Sequence, residues 1–115
     1  SKISNRRIDN MENQNRLETL KELVQKDPDD DFSRYGLALE YKKMGEAENA
    51  FQEFDELINR HPDYVPAYFM YGQYLFEEDQ EEKSIEIIQQ GIEVAQRVGD
   101  HHAAGEMQDF LSSIQ

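Results

Sequence analysis

The stretch LALEYKKMGEAENAFQEFDELINRHP at positions 37–62 is answered, 34 residues further on, by YGQYLFEEDQEEKSIEIIQQGIEVAQ at 71–96. Adding 34 to the small and apolar positions of the first stretch lands on counterparts without a gap: Leu37 on Tyr71, Ala38 on Gly72, Tyr41 on Leu75, Ala50 on Ser84, Phe54 on Ile88 and Ile58 on Ile92. A fixed period of this length restricts the chain to units that stack, because one such unit cannot bury both of its faces alone. Large side chains in these pairs fill the space between two antiparallel helices. Ala38/Gly72 and Ala50/Ser84 fall where the helices cross, and a larger side chain there would push them apart.

The punctuation around the repeat predicts an all-α chain. Leu17, Leu20, Leu23 and Val24 form one helical stripe that ends at Lys26-Asp27-Pro28. DDDFSRYGLALEYKKM follows as a second helix, capped by Asp31 or a neighbouring aspartate, with Gly45 suited to the left-handed position that ends it. EAENAFQEFDELINR, VPAYFMYGQYLFEE and EEKSIEIIQQGIEVAQRV are the next helices, the second of them opened by Pro66. Gly99 stops the last of these and Asp100 caps a further helix over 101–114, whose stripe of Ala103, Met107, Phe110, Leu111 and Ile114 predicts packing on 81–98 with Phe110 in the core. No stretch sustains the alternation of a strand.

Leu37-Ala38-x2-Tyr41, then Ala50, Phe54 and Pro62, with Tyr68, Tyr71-Gly72-x2-Leu75, Ser84 and Ile88 one period later, resembles the tetratricopeptide repeat. The resemblance implies a right-handed stack of antiparallel helical hairpins, an alpha-alpha superhelix. It divides the chain, taken as a single domain over 1–115, into a leading half-repeat helix at 11–27, units at 31–64 and 65–98, and a capping helix at 100–114. Leu20 and Pro28 match the closing helix of the incomplete first unit. Arg34 stands where the family favours an aromatic, Leu57 where it favours a small residue, and Gln96 replaces the terminal proline; the first two departures predict looser packing in the 31–64 unit. Residues 1–10 hold Lys2, Arg6 and Arg7 against one acid, so they are either a lead-in segment folded onto an acidic face or a remnant of an expression vector.

Composition removes several classes of function. Lys and Arg number 12 against 25 Asp and Glu, a formal charge of −13, which argues against nucleic acid and against anionic membranes. No apolar run approaches the roughly 20 residues that span a bilayer. Cysteine is absent, which removes disulfides, thiolate metal sites and cysteine nucleophiles. A cytoplasmic protein is expected, with no cofactor. Asp100, His101, His102 and Glu106 are better read as a helix cap and first-turn polar residues than as a metal site. The DPDDD run lacks both the glycine and the closing glutamate of a calcium loop. No phosphate loop or nucleophile–base arrangement appears, so an enzyme is not expected.

The resemblance implies a protein–protein interaction module whose concave groove receives a peptide or protein segment. Placed on the family pattern, Phe32, Tyr35, Leu39 and Lys42 line the groove from one helix, and Phe69, Met70, Gln73 and Phe76 from the next. Some family members grip the carboxylate end of an acidic peptide with Lys, Asn and Arg at such positions. Here Tyr35, Leu39, Phe69 and Met70 stand in their place, so that clamp is missing and the groove suits apolar or aromatic side chains, with a basic partner compatible with the charge. The alternative is a structural self-assembly protein, a homo-oligomer whose groove and ends are buried between copies.

Overall fold

The computed structural model describes the backbone of residues 2–115 and the side chains of residue 12 and residues 14–115. The side chains of Lys2, Arg6 and Arg7 lie outside the described residues. Among the described residues the chain is all α: α1 Lys2–Lys26, α2 Asp31–Lys43, α3 Ala47–Arg60, α4 Val65–Glu77, α5 Glu81–Val98 and α6 His101–Ile114. The helix expected at 11–27 thus extends to Lys2. The chain resolves into two compact units, Ser1–Phe54 and Asp55–Gln115, so that α3 contributes its first half to one and its second half to the other.

In the first unit α1 packs on α2. Leu17 is buried and Leu20 half-buried, while Leu23 of the same expected stripe is 45% exposed. Gly36 makes room for Leu20, whose Cδ2 lies 3.1 Å from where a β-carbon would stand. Lys21 lies over the Tyr41 ring at 5.9 Å. Arg16 approaches the buried Glu40 at 3.7 Å. Asp30 takes the N-cap position of α2, but its carboxylate accepts from the Ser33 hydroxyl and not from the helix backbone.

Arg34 is buried. Its Nη1 donates to Glu53 Oε1 at 2.6 Å and its Nη2 to the Pro28 carbonyl at 3.0 Å, joining α2, α3 and the preceding turn; its Nε is buried without a hydrogen-bond partner. One period later the same contact is made with different chemistry. Tyr68 Oη donates to the Pro62 carbonyl at 2.6 Å, and the buried Ile87 occupies the position of Glu53. The departure at Arg34 is therefore half of an exchange: Arg with Glu in one repeat, Tyr with Ile in the next.

The second unit is built on the α4–α5 hairpin, with α6 packed on α5 and touching α4. Leu57, Tyr71, Leu75, Ile88 and Met107 are fully buried at its centre. Tyr71 Oη donates to Asp55 at 2.8 Å, and Lys83 reaches the same carboxylate at 3.3 Å. Ser84, buried where a larger residue would separate α4 from α5, satisfies its hydroxyl on the Gly72 carbonyl at 2.6 Å. A β-carbon at Gly91 would stand 2.6 Å from Tyr68 Cβ and 2.7 Å from Met107 Sδ, so this glycine lets α4 and α6 approach α5 together.

Three helix ends close by one motif. After α2, Gly45 at φ +76° is followed by a bond from the Glu46 N–H to the Tyr41 carbonyl; after α5, Gly99 at φ +85° precedes the bond from Asp100 to Ala95. After α4 the equivalent residue is Asp79 at φ +62°, with Gln80 donating to the Leu75 carbonyl. Each is the paired closure of a Schellman turn. Asp100 then caps α6 by accepting from the Ala103 N–H at 3.1 Å.

Two consequences are testable. Left-handed backbone disfavours a side chain, so Asp79→Gly is expected to stabilise the chain by about 0.5–1 kcal/mol in urea denaturation, while Gly45→Ala destabilises by about 1 kcal/mol. A destabilising Asp79→Gly would show that the carboxylate itself holds the turn. For the exchanged pair, Arg34→Tyr alone leaves Glu53 beside α2 without its cation and is expected to cost roughly 3 kcal/mol. Adding Glu53→Ile should recover more than half of that loss. A double-mutant cycle measures it, and additive costs would dissolve the pairing.

Candidate functional site: aromatic faces of α2, α4 and α6

Residues spaced by three and four along a helix form one stripe. On α2 such a stripe carries Phe32, Tyr35, Leu39 and Lys42. Phe32 stands out at 76% exposure, and the other three are half-buried. On α4 the corresponding face carries Phe69, Met70, Gln73 and Phe76; the first three are half-buried and Phe76 is 37% exposed. Burial raises the Tyr35 hydroxyl above its ordinary pKa. Burial does the same for Tyr74, reinforced by the neighbouring Glu78 and Glu77 carboxylates. Both tyrosines stay neutral hydrogen-bonding groups at physiological pH.

Phe110 is not the core residue expected from its helical stripe. It is half-buried, and its ring meets Phe69 and Phe76 edge-on, each with centroids 6.0 Å apart and planes at 64° and 88°. Met107, one turn earlier, takes the fully buried place. The aromatic face of α4 is thus continued by α6. The signal was present in the sequence, because Phe110 lies 34 residues after Phe76, at the same place in the period. Phe69 is correspondingly less open than a free groove residue would be.

The surroundings are acidic. Between residues 55 and 115 the bases are Arg60, Lys83 and Arg97 against 13 acids, a formal charge of −10 with histidine neutral. Each of these bases is held by an acid: Arg60 by Glu56 at 2.6 Å, Lys83 by Asp55 at 3.3 Å and Arg97 by Asp63. His102 and Glu106 pair with each other at 2.8 Å on the exposed side of α6. Among the described residues no group of three or more His, Cys, Asp or Glu could hold a metal ion. No helix of the described residues is long and apolar enough to cross a membrane.

Helical hairpins repeated at 34 residues, with small residues at the crossings and aromatics on the first helix of each, define a helical repeat protein. The tetratricopeptide repeat model matches residues 33–64 and 65–98, and the chain belongs to that family. A tetratricopeptide repeat domain protein from Salinibacter ruber, solved by solution NMR, is 37% identical, with a TM-score of 0.73 over 77% of this chain and 90% of its own. The yeast Sti1 TPR2B domain, solved as a complex with pHsp70, is 15% identical, with a TM-score of 0.81 over 93% of this chain and 86% of its own. SycD, a type III secretion translocator chaperone of Yersinia enterocolitica, is 11% identical, with a TM-score of 0.80 over 98% and 79%. At those identities the last two share the fold alone. None of the curated proteins matches the chain.

Full burial and half-burial separate Met107 from Phe110 on α6. Met107→Ala is expected to cost about 2–5 kcal/mol, as for a closed core site. Phe110→Ala should cost less, about 1–2 kcal/mol, chiefly its two edge-on ring contacts. Chemical denaturation orders them, and a larger loss at Phe110 would return it to the core.

Proposed function

We propose that the chain is a protein–protein interaction module that works through surface contact and not through catalysis. The faces of α2 (Phe32, Tyr35, Leu39, Lys42) and α4 (Phe69, Met70, Gln73, Phe76) take up apolar or aromatic side chains of a protein or peptide partner. The observation that carries this is the exposure of Phe32 and Phe76 on the first helix of each repeat, where the fold's own packing is served by Leu37, Tyr41, Tyr71 and Leu75. Solvent-facing aromatics in a contiguous apolar face favour association, and truncating such an anchor commonly costs about 2 kcal/mol of binding, or roughly 30-fold. The family supports the same role: the Sti1 domain was solved with pHsp70 bound, and SycD is a chaperone.

A photo-crosslinking residue placed at Phe32 or Phe76, with exposed Gln89 on α5 as the control position, tests it in cell extract. Crosslinks to a foreign protein from Phe32 or Phe76, absent from Gln89, are expected. Crosslinks only between copies of the chain, with a dimer in light scattering, would establish self-assembly instead. Equal crosslinking from Gln89 would remove both faces from consideration.

A further inference from the structure

We propose that the face made by Phe69, Phe76 and Phe110 takes a basic segment carrying one apolar or aromatic anchor, an assignment that rests on the interaction role above and names its partner chemistry. The anchor's place is defined by geometry within one compact unit. Phe110 from α6 stands edge-on to both α4 rings, so the three rings form one cluster in which Phe76 is exposed and Phe69 and Phe110 are half-buried. The flanks are defined by charge. Phe76 runs directly into Glu77-Glu78-Asp79-Gln80-Glu81-Glu82, and the bases of the unit are already held by acids, so an incoming carboxylate finds no cation waiting.

The same juxtaposition occurs independently in the first unit, where the exposed Phe32 follows Asp29, Asp30 and Asp31. An exposed aromatic beside a run of acids is matched by a partner that places Lys or Arg around an apolar side chain, since opposite charge speeds encounter and like charge costs binding. A cation can also settle over the ring faces themselves. A second copy of this chain brings another −13 to the same surface and is the poorer match.

Selection of a random-sequence peptide display library on the full chain tests the assignment. Affinities of the recovered peptides are then measured by fluorescence anisotropy on the wild-type chain, Phe76→Ala and Phe110→Leu, at low and high salt. Recovered peptides should carry net positive charge and an aromatic or aliphatic residue. Each variant should bind at least about 10-fold more weakly, and added salt should weaken binding further. Neutral or acidic peptides that still lose affinity in both variants would overturn the partner chemistry and leave the interaction role standing. Basic peptides indifferent to both variants would overturn the location, and recovery of no peptide would overturn both proposals. Should Phe110→Leu lose its helical circular dichroism, Phe76→Ala alone decides, because its ring is the most open of the three.

Discussion

A proline turn leaves a free carbonyl, and in both repeats the following helix reaches back to it with a side chain, Arg34 to Pro28 and Tyr68 to Pro62. Pro28 and Pro62 stand at the second position of turns closed by Asp30 to Asp27 and Tyr64 to His61, and neither proline carbonyl is used by those turns. Both prolines are exposed, so each bond adds about 1 kcal/mol rather than averting a buried unpaired acceptor, and in both repeats the side chain six residues on is a long donor. Tyrosine at 68 reaches with one hydroxyl and leaves an apolar ring, which permits isoleucine at 87. Arginine at 34 reaches with one nitrogen but brings a charge, which requires glutamate at 53. The donor chosen for one backbone acceptor thus decides what its neighbour on the next helix can be: an acid beside Arg34, an apolar residue beside Tyr68.

The second constraint is distance between helices. α5 of the second unit meets two helices, and the approach is set by what its side chains omit: Ser84 against the Gly72 carbonyl, and Gly91 against Tyr68 and Met107. Serine serves where alanine stands one period earlier because its hydroxyl bonds the carbonyl it faces. Glycine carries an intrinsic helix penalty of about 1 kcal/mol. It persists at 91 because a methyl group would overlap Tyr68 Cβ, which the backbone of α4 holds in place.

Periodicity made the hairpins, their turns and their crossing residues legible in the sequence, because backbone geometry repeats whenever small and large positions repeat. What escaped it were substitutions that preserve a contact while changing its chemistry. Arg34 looked like a loss of packing, yet it is a buried donor; its meaning lay in Glu53, whose charge is unremarkable in so acidic a chain. Asp79 hides the turn that Gly45 announces, because a short polar side chain tolerates left-handed backbone and carries no positional signature. The stripe of α6 points Phe110 into the core, but Phe110 follows the 34-residue period of Phe76 and shares its place at the edge of the aromatic face. The extension of α1 to Lys2 had no signal in apolar spacing, since its first ten residues are mostly polar.

α6 therefore has two duties that constrain each other. Toward α5 it contributes Ala104, Met107 and Leu111, all buried, and outward it presents Gly105, Glu106, Gln108, Asp109 and Ser112 to solvent. Between those faces lies Phe110, too far round the helix to be enclosed and too close to α4 to be free. Its edge contacts with Phe69 and Phe76 hold α6 to α4, and the same contacts order the rings that the proposed partner would meet. Rigid aromatic rings lose little entropy when they are bound, so ordering them beforehand favours association. The helix that completes the core of the unit is also the one that shapes its exposed aromatic surface.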